Sequence, residues 1–313
     1  MSNYTNYWHE MQKLARKRAS AITEALHIEY GNRNGLYRTS DATSMYRDGM
    51  PKGNSIQFDA ARSIAELIGV GKSEPIVTFI QSAYPEGYPR DPVYHGLPHA
   101  VLTAAITKRL AEIYLPHHKH EAKVAVLAAL LHDAHHTQTG NDNVNIDRAT
   151  QFTYQLMHAL YDNSEDDFNA GSDCALITAV IAATKFVGGK FAVELPAIEA
   201  VALPADADYA DVSNMVVRIV GEADLMMSAT PEWPEFAAQL AYEESAVNGS
   251  TQIFDPIYFA YKQYVFAKTL VDSGRLILPE NVAAMRVVIA IHGTFTNQAD
   301  LDDDLDDDID DEV

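Results

Sequence analysis

Two histidines stand four apart in Tyr94-His95-Gly96-Leu97-Pro98-His99, and a second set follows in Leu131-His132-Asp133-Ala134-His135-His136. Of the twelve histidines in the chain, eight fall between His95 and His136, a concentration that a solvated surface has no reason to produce. The second set ends the apolar run Val124 to Leu131, which reads as a buried helix. Imidazoles and a carboxylate at the end of such a helix are costly to desolvate, on the order of several kcal/mol for an unpaired charge, unless something binds them. A divalent cation is the expected partner. If the first segment is already helical, His95 and His99 lie one turn apart and project from one face, and His132 and His136 repeat the relation. Adjacent His132 and Asp133 can both reach an ion off the helix flank, and Asp133, with two oxygens, can bridge two ions. Mixed nitrogen and oxygen donors suit zinc, iron or manganese at one position and magnesium or manganese at the other. His9, His27, His158 and His292 lie apart from the cluster and read as ordinary core or surface residues.

Further along the chain come Ile181-Ala182-Ala183-Thr184, Ala223-Asp224-Leu225 and Gln263-Tyr264-Val265-Phe266. With the two histidine sets, this order resembles the HD-domain metallohydrolases, and its form is similar to the catalytic domain of class I cyclic-nucleotide phosphodiesterases. Their Tyr-His-Asn-x-x-His is matched from Tyr94 to His99 except at Gly96, and their Ala-x-Leu-His-Asp-x-x-His from Ala129 to His136. The resemblance spans about residues 90 to 275. It implies an all-α, multi-helix HD/PDEase-like domain that hydrolyses a cyclic or related signalling nucleotide with a metal-activated water. The metal ligands it implies are His99, His132, Asp133 and Asp224, holding two divalent ions between them. By the same resemblance His95 protonates the leaving oxygen, His136 contacts metal-bound water, and Gln263 and Phe266 clamp the base. The chain departs from the family in three places. The stretch from Tyr161 to Asp167 has carboxylates but no histidine pair, Lys185 stands where an Asp is usual, and the loop Thr137 to Asn143 is longer. Two other readings keep the HD core. One removes phosphate from a nucleoside mono- or triphosphate. The other is a di-iron oxygenase, for which His117, His118 and His120, in a polar turn opened by Pro116, are the spare ligands.

Helical periodicity runs almost throughout. Apolar residues recur at helical spacing in Tyr7 to Ile28, Ile56 to Ile68, Ile76 to Ala83, Ala100 to Tyr114, His120 to Leu131, Ile146 to Tyr161, Cys174 to Phe186 and Pro196 to Leu203. They continue in Asp208 to Met226, Phe236 to Ala246, Tyr258 to Val271 and Pro279 to Ile291. No alternating strand pattern is present, so the fold class is all-α. Three regions follow: residues 1–54, an N-terminal helix and a long loop rich in Gly, Asn, Ser, Arg and Tyr; residues 55–295, the catalytic domain; and residues 296–313, an acidic tail.

The single Cys174 excludes an internal disulfide, fits a reducing cytosol and sits in an apolar run as a small core residue. No apolar stretch has the length to cross a bilayer, so no membrane partner and a cytoplasmic location are expected. The net charge is −21, and without the ten acidic residues between Asp300 and Val313 it is still −11. Such a body offers no basic face for duplex nucleic acid. The tail reads as solvated and disordered, with no partner identified. Its Leu301, Leu305, Ile309 and Val313 would nevertheless line up if it became helical against another surface. Deleting residues 300–313 should leave the melting temperature nearly unchanged, because a charge block buries too little apolar surface to contribute to a core. A thermal melt showing a drop of many degrees would mean that this stripe docks on the body.

Overall fold

Apart from residues at helix boundaries, the expected helices that fall within the described residues form. The computed structural model describes residues 60–84, 94–137, 142–161, 171–187, 195–196, 207–229, 240 and 256–292. The N-terminal helix, the loop before residue 55, all but one residue of the segment Phe236 to Ala246, and the acidic tail lie outside them. In chain order the helices are α1 Ala60–Ile68, α2 Pro75–Ser82, α3 Leu97–Tyr114, α4 Lys119–Leu131, α5 Asp142–Tyr161 and α6 Ser172–Thr184. Then come α7 Ala207–Asp224, a 3-10 turn Leu225–Ala229, α8 Pro256–Asp272 and α9 Pro279–His292. The fold is all-α. Between α6 and α7 lies a two-residue antiparallel ribbon, pairing Phe186 with Pro196 and Val187 with Leu195. Phe186 therefore leaves the helix it was assigned to and Pro196 pairs in the ribbon, while residues 197–203 of the helix expected from Pro196 to Leu203 lie outside the described residues. Two residues are too few to display an alternating pattern in sequence.

Local chemistry sets the ends. Pro75 opens α2 and Pro98 sits in the first turn of α3, where a missing N–H costs nothing. Gly69 and Gly274, with φ of 76° and 67°, take the left-handed conformation that closes α1 and α8.

The centre of the molecule is α4. Every residue from Val124 to Leu131 is buried, so the C-terminal part of this helix has no solvent face, and α4 is wrapped by α3, α7, α6, α1 and α5. Buried alanines on both α3 (Ala100, Ala104, Ala111) and α4 (Ala125, Ala128, Ala129) keep the packed axes close. The helices α3, α4 and α7 all contact one another, which places their ends at one junction.

The last turn of α7 is fixed from the other side by Glu222, which is fully buried. Its carboxylate accepts from the backbone N–H groups of Ile277 (2.9 Å) and Leu278 (3.3 Å) and from Asn281 Nδ2 (3.0 Å), at the start of α9. Burial raises its pKa, and these donors and Arg218, 3.7 Å away, oppose that rise. Tyr114, at the end of α3, donates to Glu280 on the first turn of α9, so α9 is tied to two members of the junction. Glu222→Ala should destabilise the protein by about 3 kcal/mol, since the buried donors Leu278 N–H and Asn281 Nδ2 and the part-buried Ile277 N–H lose their acceptor. Chemical denaturation reads this directly, and a change below about 0.5 kcal/mol, the size of an ordinary surface substitution, would show that the anchor carries no strain.

Candidate metal centre

The junction of α3, α4 and α7 brings together residues far apart in sequence. His99 lies in the first turn of α3 and is 1% exposed; His132 caps the end of α4 and is 3% exposed. Asp133 follows directly, and Asp224 is the last residue of α7, where the chain tightens into the 3-10 turn. Their donor atoms converge. His99 Nε2 is 3.2 Å from His132 Nε2, 3.0 Å from Asp224 Oδ1 and 3.2 Å from Asp133 Oδ2. His132 Nε2 is 3.1 Å from Asp133 Oδ2 and 3.2 Å from Asp224 Oδ1. His99, His132 and Asp133 form a group able to hold a metal ion, with donor atoms all within 4.8 Å of one another. Separations near 3 Å are those that ligands adopt around one small divalent ion with bonds of about 2.1 Å.

Hydrogen bonding and electrostatics fit a cation better than they fit a network among the four side chains. His132 Nδ1 lies 2.8 Å from the carbonyl of Ala129 and donates to it, which turns Nε2 into the junction, where it can carry the ring's second proton or, without that proton, act as a metal ligand. Asp133 Oδ2 is buried and has no hydrogen-bond partner among the described residues, although both Nε2 atoms are near. Two carboxylates and the C-terminal ends of α4 and α7 add negative potential at the same point. Burial works against charge on His132, yet Asp133 and Asp224 outweigh it and hold its pKa well above the ordinary value. Burial likewise opposes ionisation of Asp133 and Asp224; His132 overcomes this for both, with His95 also acting on Asp133, so both stand below the usual carboxylate range.

The expected shared helix faces do not form, and the difference separates the histidines into two groups. Helix α3 starts only at Leu97, because Gly96 is extended at the N-cap, so His95 lies in the bend before the helix. Helix α4 ends at Leu131, and His135 takes φ 56°, a left-handed turn that swings His136 away from the α4 face. The two displaced residues meet: the rings of His95 and His136 stack at 4.0 Å with 13° between their planes. Tyr94 lies against His99 at 4.8 Å, and His95 stands edge-on to His99 at 5.9 Å.

Three residues near the junction carry no motif. Asn145, in the first turns of α5, hydrogen-bonds to His136 Nε2 at 2.9 Å. Buried Tyr84 donates to the carbonyl of Leu130 at 2.9 Å, beneath His132 and Asp133; burial and the Asp133 charge push its phenol well above the ordinary value. Glu222 holds the turn that carries Asp224. Nothing in local spacing marks any of them, because each acts across a tertiary contact.

The remaining expected residues lie elsewhere. Gln263 and Phe266 are partly buried on α8, with Phe266 packed against the core. Thr184 closes α6 by donating to Ile181, and half-buried Lys185 follows it. His117 and His118 are exposed, whereas His120 reaches Asp173 at 3.0 Å, and none of the three joins the group around His132. Cys174 is buried, and burial raises its thiol pKa, as befits a core residue. Among the described residues no helix is long and apolar enough to cross a membrane. Comparison of the chain with family models, with curated proteins and with solved structures found no match.

The charge arrangement sets the pH response. The stability that His132 gains from its raised pKa is complete below about pH 6.5 and is lost as pH rises through the folded value. The stability from Asp133 and Asp224 is present above about pH 4 and is lost as pH falls through their lowered values. Metal-free protein should therefore melt highest between about pH 4 and 6.5 and lower on the alkaline side. A bound divalent ion takes the place of the His132 proton and should remove the alkaline decline. Melts across this range with chelator and with saturating manganese test the point; an alkaline decline that metal leaves untouched would contradict it.

Proposed function

We propose that this chain is an HD-type, metal-dependent phosphodiesterase that hydrolyses a cyclic or related signalling nucleotide. The observation that carries the reading is the convergence of His99, His132, Asp133 and Asp224 at a junction of three helices, with His95 and His136 stacked outside the donor set. These four residues would hold one ion, zinc, iron or manganese, and Asp133 would share its carboxylate with a second, magnesium or manganese. Ions bound there supply Lewis acidity to a phosphoryl oxygen and lower the pKa of the water they hold.

The protein's own groups do the rest. When the ester P–O bond breaks, the leaving oxygen takes up a proton, and His95 supplies it. Its position supports this: it is close enough to Asp133 for its charge to act on that carboxylate, yet it belongs to the bend before α3 and not to the ligand cluster. Gln263 Oε1 is buried with no hydrogen-bond partner among the described residues, so an amino group on a base would satisfy it. Phe266, three residues along α8, offers a ring to stack on that base.

The test is a screen of purified protein with manganese, magnesium or zinc against cyclic mononucleotides, cyclic oligonucleotides and nucleoside mono- and triphosphates, followed by chromatography of products. Ring opening or internal cleavage without release of inorganic phosphate is the expected result. Phosphate release from a nucleoside mono- or triphosphate would replace the reading with a phosphohydrolase. Asp133→Ala should lose metal and turnover together. His95→Ala should keep its metal and lose roughly a hundredfold or more in turnover, the range of a general acid. Metal analysis that finds His95→Ala depleted would make His95 a ligand instead.

A further inference from the structure

We propose that Asn145 is a positioning residue that fixes the tautomer of His136, leaving this ring an N–H donor through Nδ1 and barring it from acting through Nε2 as a base or a metal ligand. The argument begins at Thr137. Asn145 Oδ1 is 3.0 Å from the backbone nitrogen of Thr137 and 3.1 Å from its hydroxyl oxygen. A backbone N–H can only donate, so the atom facing it must be the amide oxygen; the usual ambiguity between the two ends of an Asn side chain is thereby resolved. The other end, Nδ2, then faces His136 Nε2 at 2.9 Å. Nδ2 can only donate, so Nε2 must accept. A neutral imidazole whose Nε2 accepts carries its proton on Nδ1.

The surroundings hold this arrangement in place. Asn145 is 7% exposed in the first turns of α5, and Thr137 follows His136 directly, so the two ends of the amide are bonded to two consecutive, part-buried residues. The His136 ring is further restrained by its stack on His95. The other tautomer, or a protonated ring, would set two donors, Nε2–H and Nδ2–H, face to face. The inference rests on the phosphodiesterase reading only for its consequence: an Nδ1–H donor suits an anionic phosphoryl oxygen or the oxygen of the attacking water. It also removes His136 from the ligands available to a second ion, which leaves Asp133 as the shared group.

The tautomer is measured without any substrate, by long-range proton–nitrogen correlation on protein labelled with nitrogen-15 histidine, with and without zinc. Wild-type protein should show His136 with a protonated Nδ1 and an acceptor-type Nε2 in both states. Asn145→Asp is the sharpest variant. Its carboxylate keeps the two bonds from Thr137 but presents an acceptor to the ring, so the tautomer should invert to Nε2–H. Zinc content should stay at the wild-type level, while kcat falls tenfold or more with KM changed less than threefold. Asn145→Ser, which keeps a small hydrogen-bonding side chain without forcing inversion, should recover part of the kcat. A wild-type spectrum with His136 protonated at Nε2, or a folded Asn145→Asp whose tautomer is unchanged, would overturn the proposal. If neither variant folds, the wild-type spectrum alone decides. If no phosphodiester is cleaved but the spectrum is as expected, the functional reading fails while the assignment of Asn145 stands.

Discussion

Two carboxylates and two imidazole nitrogens share a few ångströms of nearly dry space at the meeting point of α3, α4 and α7, and the rest of the structure is organised around that crowding. Like charges so close, away from water, repel strongly unless positive charge stands between them. In the metal-free state the His132 proton supplies it; a divalent ion would supply more. The ends of α4 and α7 reinforce the demand, since a helix C-terminus is itself an acceptor of cations.

Holding such a point together needs rigid supports, and they come from several directions. Helix α4 is enclosed by its neighbours, so His132 has no room to swing outward. Asp224 hangs from a turn whose Glu222 is gripped by the start of α9, and Tyr84 bonds to the last turn of α4 from below. A buried carboxylate such as Glu222 is weak evidence for stability in itself, because its desolvation offsets much of what its bonds return. Its placement two residues before Asp224 gives it a sharper role: it holds the turn that carries Asp224, the fourth member of the cluster.

The same geometry separates histidines that look equivalent on paper. His95 and His99 are four apart, as are His132 and His136, yet in each pair one residue enters the donor cluster and the other does not. The start of α3 at Leu97 and the left-handed turn at His135 cause the division. His99 and His132 keep helical backbone and point inward. His95 and His136 belong to the bends beside those helix ends and stack on each other. On the proposed phosphodiesterase reading, holding a cation and moving a proton would call for groups of both kinds, and one spacing used on either side of a helix boundary would supply them.

Much of this was legible without coordinates. Helical periodicity and the lack of alternation determine an all-α chain, and the apolar run before His132 determines a buried helix ending in polar groups, because burial pattern is a local property of residue order. The residues His99, His132 and Asp133 announce themselves by type and spacing for the same reason. Asp224 was reached only through resemblance, since a lone Asp on a helix has no local mark. Spacing alone left His95, His99, His132 and His136 equivalent and only the resemblance set them apart; the tertiary structure supplies the physical division, because helix ends turn on a residue or two of backbone conformation that periodicity does not resolve. It alone brought in Asn145, Tyr84 and Glu222, each of which is ordinary in its own segment and gains its role from a partner 9, 46 or 55 to 59 residues away. Contacts of that kind depend on how the chain packs in three dimensions; the partners of Tyr84 and Glu222 lie outside any local window, and that of Asn145, though only 9 residues away, follows no helical or strand spacing.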